Sequence, residues 1–196
     1  PDMLASNFRG PSNGAPSEDV ARLAGARFVG ISEMEQKLTI NASLTKQLTG
    51  NNRITARFLH ENSFDFKPQF KLYINTNYLP VINDMTLFSS GRVVIIPFDR
   101  HFEEAEQDRT LKTEFSRPEN QSAILNWLVE GYRLTMQEGL QQPAAVKAAT
   151  AEYKRDSDKV TQFVEEKLEA APLAETKTSL VYDCYRAWCS ENGCYA

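Results

Sequence analysis

Apolar positions fall into two periodicities along the chain. Short, nearly continuous apolar runs at Arg27-Phe28-Val29-Gly30-Ile31, Phe70-Lys71-Leu72-Tyr73-Ile74 and Val93-Val94-Ile95-Ile96 predict the strands of a parallel sheet covered on both faces. Between the first two runs, Ile40, Leu44 and Leu48 recur at helical spacing. After Gly50-Asn51-Asn52 the period drops to two. Ile54, Ala56 and Phe58 alternate with Arg53, Thr55 and Arg57, so both arginines share one face of a strand. Phe64 and Phe66 then alternate with Asp65 and Lys67, and His60-Glu61-Asn62-Ser63 between the two segments closes a β-hairpin.

Ahead of the first run lies a Gly, Pro, Ser and Asn-rich loop from Asn7 to Pro16. Ser17 then N-caps a helix with acids in its first turn, closed by Gly25. Beyond Pro97-Phe98 the pattern is helical. Pro118 fits the first position of a long helix carrying Ile124, Trp127, Leu128 and Tyr132 and ended by Gly139. A second helix runs from about Ala144 to Tyr153. A third follows a Ser157 cap, with Val160, Phe163, Val164 and Leu168 inward. Ala170 to Lys177, with Pro172, reads as a linker. The last helix, Leu180 to Gly193, carries Val181, Tyr185 and Trp188 on one side. On the residues alone, this is an α/β core followed by a helical tail.

Composition narrows the function. The chain has 196 residues, 41% hydrophobic and 24% charged, ordinary values for one soluble domain or one domain with a small appendage. No run approaches the ~18 apolar residues of a membrane span, and Pro1-Asp2-Met3-Leu4 has no secretory pattern. A cytoplasmic protein with no membrane partner is expected. The absence of Met at position 1 suggests a piece of a longer chain. A net charge of −4 excludes a uniformly basic nucleic-acid coat. From Lys37 to Lys71, however, six Lys/Arg face two Asp/Glu, a local charge of +4. Cys184, Cys189 and Cys194 lie at five-residue intervals, without metal-ligand spacing, and read as free thiols of a reducing compartment. The histidines, His60 and His101, are far from them.

Several short motifs occur in one order: Arg27-Phe28-Val29-Gly30-Ile31-Ser32-Glu33, Lys46-Gln47-Leu48-Thr49-Gly50, Arg53-Ile54-Thr55-Ala56-Arg57, Phe66-Lys67-Pro68-Gln69-Phe70-Lys71-Leu72, Asn75-Thr76-Asn77-Tyr78-Leu79-Pro80, and Arg92 ahead of Ile95-Ile96-Pro97-Phe98. The series resembles the C-terminal helicase part of phage and plasmid primase-helicases, members of helicase superfamily 3 within the AAA+-like ATPases. The resemblance runs from about Asp19 to Gly193.

It implies a role for particular residues. Glu33 matches the Walker B acid, where a carboxylate at the end of a parallel strand binds Mg²⁺ through the nucleotide or polarises the attacking water. Ser32 stands before it in place of a second acid; Glu35 nearby is a candidate helper, with a solvated turn acid the favoured reading. Asn77 matches the sensor asparagine, a neutral amide that contacts the γ-phosphate or holds the water. Arg92 matches the arginine finger, always charged and able to fork onto phosphate oxygens. Glu33, Asn77 and Arg92 are thus the expected catalytic residues, with Glu33 and Asn77 also binding the nucleotide. The hairpin from Arg53 to Lys67 matches the DNA-contacting element of a ring channel. Arg53, Arg57, His60 and Lys67 then make phosphate contacts without sequence information. Where the family usually has an aspartate, this chain has Asn51 or Asn52.

The expected fold class is therefore α/β: a partial P-loop NTPase parallel sheet with a β-hairpin insertion, followed by an α-helical C-terminal region. The division follows the motifs: an ATPase part over 1–100, a helical region over 101–170, and a linker with the start of a truncated winged-helix domain over 171–196. The resemblance implies ATP and Mg²⁺ as cofactors. It implies single-stranded or forked DNA, a homo-oligomeric ring (a hexamer) and a primase domain, in the same chain or in trans, as partners. No G-x-x-x-x-G-K-[ST] loop occurs in the sequence, and in the family that loop lies just upstream of these motifs. The chain alone is expected to be inactive. A second reading, from a different class, is a non-catalytic DNA-binding or assembly module that keeps the basic hairpin and has lost ATP chemistry.

Overall fold

The computed structural model describes residues 4–5, 18–32 and 38–194. Among them the chain is α/β, with a small parallel sheet and many helices. It forms two compact units, Pro1–Val93 with Tyr153–Ala196, and Val94–Glu152.

In the first unit, a single turn of helix α1 (Glu18–Ala21) buries Val20 and Ala21 and leads into strand β1 (Phe28–Ser32). The predicted Ser17 cap lies outside the described residues. Residues 38–41 pair with two other segments: Ile40 N donates to Val81 O at 2.9 Å and Asn41 N donates to Leu4 O at 2.7 Å. Asn41 then caps helix α2 (Ala42–Leu48), its Oδ1 accepting from Leu44 N at 3.0 Å. This satisfies one of the backbone donors that a helix start leaves open. Leu44 and Leu48 are buried as their spacing predicts, Leu48 fully.

The hairpin follows as strands β2 (Ile54–Ala56) and β3 (Phe64–Phe66), antiparallel, with Ile54 opposite Phe66, Thr55 opposite Asp65 and Ala56 opposite Phe64. Strand β4 (Lys71–Asn75) pairs in parallel with β1, from Phe28–Lys71 to Ser32–Asn75. Helix α3 (Thr86–Ser89) buries Leu87 and Phe88. Phe88 meets Tyr153 edge-on at 5.2 Å, and the Tyr153 hydroxyl donates to Pro80 O. Burial pushes that phenol well above its ordinary pKa.

Two sheet expectations are corrected. Among the described residues the parallel sheet has two strands, and it is not covered on both faces: Phe28 is 67% exposed and stacks on the exposed Tyr73 at 4.6 Å. Val93–Ile96 does not form a strand. A β ladder needs a partner backbone, and here Ile95 N instead donates to Thr150 Oγ1 at 2.9 Å. Val94, Ile96 and Phe98 all face solvent.

The second unit contains helix α4 (Leu111–Phe115), helix α5 (Pro118–Glu138) and most of helix α6 (Ala144–Ser157). Pro118 opens α5 and Gly139, at φ 74°, ends it, both as predicted. None of its residues is buried, and Trp127 is 74% exposed. Back in the first unit, α6 continues through Ser157, so the predicted Ser157 cap is wrong. Asp158 caps helix α7 (Lys159–Lys167) instead, accepting from Thr161 N at 3.0 Å. Of the four predicted inward residues only Phe163 is buried; Val160, Val164 and Leu168 are exposed. Helix α8 (Thr178–Glu191) packs Trp188 and Cys189 on Phe163, with Val181 and Tyr185 beside them. Trp188 Nε1 donates to Glu166 Oε2 at 2.8 Å, which ties α8 to α7. All three cysteines are free thiols.

Candidate functional site

The end of α2 and the start of the hairpin bound a cleft of about 600 Å³. Its walls carry the cations Lys46, Arg53 and Arg92 and the amides of Gln47, Asn51 and Asn52, with no carboxylate lining it among the described residues. Gly50 makes the tight exit from α2 possible. A Cβ there would stand 2.7 Å from Lys46 O, a contact real side chains do not make.

Arg92 reaches this cleft through α3. Gly91 takes a left-handed φ of 66°, which glycine tolerates without steric cost. Arg92 N then donates back to Leu87 O at 3.1 Å. Because Leu87 is fully buried, the backbone of Arg92 is anchored to the core while its side chain stays exposed.

Lys46 is held from the side. Its Nζ donates to Asp84 Oδ2 at 2.6 Å, and both side chains are about two-thirds covered. The other Asp84 oxygen accepts from Thr86 N at 3.0 Å and from Thr86 Oγ1 at 2.6 Å. The ion pair with Lys46, followed by the Thr86 bonds, holds the Asp84 carboxyl at about 2, well below the usual carboxylate range. Lys46 belongs to one of the sequence motifs without a role of its own there, and Asp84 belongs to none of them. The pair joins positions distant in sequence, and only the Asp-x-Thr turn pattern at Asp84 carried a local signal.

The other expected site residues are distributed as follows. Glu33 lies outside the described residues; β1 ends at Ser32, opposite the last residue of β4. Asn77 sits in an exposed bend two residues beyond β4, at the C-terminal edge of the parallel pair. It does not line the cleft. No group of three or more His, Cys, Asp or Glu side chains able to hold a metal occurs among the described residues.

Hairpin register puts Thr55 and Asp65 together on the outer face, with Thr55 Oγ1 donating to Asp65 Oδ1 at 2.6 Å. Arg53 and Lys67 flank the Ile54–Phe66 end of the ladder and are exposed; Arg57, at the other end, is half-buried. The basic face therefore has a carboxylate in its middle. Phe58 and Phe64 stack on the opposite side at 5.9 Å. At the tip, Glu61 N donates to Phe58 O at 3.2 Å, with His60 at φ 64° in the third position, the geometry of a type II turn. Leu59 and His60 are both exposed there.

Comparison with known proteins sharpens the class. Residues 155–196 match the family described as Poxvirus D5 protein-like. Over 200 residues the chain is 32% identical to "Putative helicase 022R" of Frog virus 3 (isolate Goorha), covering 94% of this chain and 21% of that protein. It is 27% identical to "Putative helicase L207/L206" of Acanthamoeba polyphaga mimivirus, over 92% of this chain and 21% of the relative. "Putative helicase V13" of Sputnik virophage is 24% identical over 75% of this chain and 20% of its own length. The chain spans about a fifth of the length of the curated relatives it matches. These likenesses are to the Poxvirus D5 protein-like family over residues 155–196 and to viral proteins named putative helicases, not specifically to the phage and plasmid branch expected from the motifs. No helix among the described residues is long and apolar enough to cross a membrane.

Proposed function

We propose that this chain is the C-terminal portion of an ATP-driven DNA helicase of the D5-like, superfamily 3 kind, working in a homo-oligomeric, hexameric ring alongside a primase domain. The observation that carries the reading is the cleft. An arginine matched to an arginine finger shares walls with Lys46 and Arg53; among the described residues no carboxylate lines the cleft, and Asp84 beside it is already engaged by Lys46 and Thr86. Such a lining suits phosphate oxygens, because guanidinium and ammonium donors make charge-assisted hydrogen bonds to them. The likeness to three viral proteins named helicases supports the same class.

On this reading Arg92 reaches the nucleotide of a neighbouring subunit. Glu33 and Asn77 serve the nucleotide of their own subunit, with Mg²⁺ held by way of Glu33. ATP, when bound, supplies the free energy of its terminal phosphoanhydride. This chain's residues orient phosphate oxygens and neutralise charge on them. The hairpin contacts DNA phosphates through Arg53, Arg57, His60 and Lys67, in a motor laid out as an ATPase part over 1–100, a helical region over 101–170 and the start of a winged-helix domain over 171–196.

In the assembled protein, Arg92→Ala should leave ATP binding largely intact and lower hydrolysis by about 10³–10⁵-fold, the usual worth of a positive charge on a transferring phosphoryl group. Unchanged hydrolysis would reduce Arg92 to a surface arginine. The 196-residue chain alone, which contains no phosphate loop, should hydrolyse no ATP.

A further inference from the structure

We propose that Asp84 is a positioning residue for Arg92: through Lys46 and Thr86 it fixes the α3 turn, and so sets the spacing of the cations that grip phosphate in the cleft. The inference rests on the reading of Arg92 as a phosphate contact and adds a device that the motifs did not reveal.

The geometry is a closed set of short links. One Asp84 oxygen takes the Lys46 ammonium at 2.6 Å, so the side wall of the cleft on α2 is tied to the start of α3. The other takes the amide and hydroxyl of Thr86, and Leu87 N donates to Asp84 O at 3.1 Å. The turn ends where Arg92 N returns to Leu87 O at 3.1 Å. From Asp84 to Arg92 the backbone is thus pinned at both ends, and the ion pair adds a side-chain tie to α2 beside the backbone bonds of Val81 to Leu38 and Ile40. Met85, at the formal start of α3, supplies no side-chain cap, so Asp84 performs that work as well.

Simple electrostatics makes the opposite prediction, and this gives the inference a sharp test. Asp84 is a negative charge next to a cationic cleft. If it acted only through the field, removing its charge would tighten anion binding. If it positions Arg92, removing its charge loosens the grip although the cleft becomes more positive.

The experiment is isothermal titration of inorganic tripolyphosphate into the chain and its variants at fixed ionic strength, with thermal unfolding recorded for each. Arg92→Ala should weaken binding at least about tenfold, the worth of one charge-assisted contact. Asp84→Asn should weaken it about threefold to tenfold, a coupling of ordinary size for residues in one network. In the Arg92→Ala background, Asp84→Asn should cost nothing further. Thr86→Ala, which alters no charge, should also weaken binding in the presence of Arg92 and not in its absence. It keeps the test decisive if Asp84→Asn folds poorly. Tighter binding by Asp84→Asn, or an equal loss in both backgrounds, would overturn the positioning role while leaving Arg92 as a contact. An Arg92→Ala variant that binds tripolyphosphate as the parent does would overturn both.

Discussion

Arg53 and Arg92 line the same cleft, although the motifs assign one to a DNA-binding hairpin and the other to nucleotide chemistry. The hairpin leaves α2 at the tight Gly50 exit, so Arg53 stands at its root beside Lys46. Arg92 arrives from the far side of α3. On the proposed reading, a phosphate in the cleft would be felt at the base of the element that holds DNA.

The hairpin should give weak, sequence-tolerant DNA binding with strong salt dependence. Replacing Arg53 and Arg57 together by Ala should flatten the log–log plot of affinity against salt by about one unit for each lost phosphate contact. Fluorescence anisotropy with two unrelated single-stranded oligonucleotides measures it. Asp65, sitting between the arginines and held by Thr55, should oppose binding, so Asp65→Asn should tighten it. An unchanged slope in the double-arginine variant would move the DNA surface elsewhere.

Acid should weaken the link between Lys46 and Asp84 in a defined window. The folded carboxyl is held at about 2, below the usual carboxylate value of 3.8. A depressed pKa stabilises the folded state fully above the unfolded value, and that stability is lost as pH falls toward the folded value. The difference in unfolding midpoint between parent and Asp84→Asn should therefore be constant above about pH 5 and shrink between about pH 4 and pH 2. Urea unfolding across that range reads it directly. A difference that does not change with pH would mean that the ion pair adds nothing beyond the shape of the side chain.

Much of this was legible from local pattern. The strands β1 and β4, the hairpin, the ends of α5 at Pro118 and Gly139, and the Val181-Tyr185-Trp188 face of α8 all follow from periodicity and capping residues. What failed depended on partners distant in sequence. Val93–Ile96 has the composition of a strand, yet a ladder forms only against another backbone, and among the described residues it finds the Thr150 hydroxyl. The open face of the sheet at Phe28 and Tyr73 is likewise a matter of what packs on it. At the α6–α7 junction Ser157 stays helical, and Asp158 prevails because its two oxygens take both the amide and the hydroxyl of Thr161. The Lys46–Asp84 pair was invisible because a salt bridge between distant positions leaves no periodicity.

The α7–α8 contact should behave as a small independent core. Phe163→Ala should destabilise the first unit by about 3–5 kcal/mol, the cost of removing a buried aromatic. Trp188→Phe should cost about 1 kcal/mol through the lost bond to Glu166. The two tryptophans provide an internal check: iodide should quench the exposed Trp127 and leave the buried Trp188 bright. Full quenching of both by iodide in the folded protein would contradict this packing.

The most direct measurement of the central claim mixes two inactive variants. In assembled rings, Arg92→Ala subunits lack the proposed finger, and Glu33→Gln subunits lack the proposed Walker B carboxylate. Each alone should be nearly without ATPase activity. Mixed rings contain interfaces that join an intact Glu33 in one subunit to an intact Arg92 in its neighbour, so turnover should return and pass through a maximum at intermediate ratios. Mixed rings that demonstrably form and yet restore no activity at any ratio would show that Arg92 does not serve the nucleotide of the next subunit.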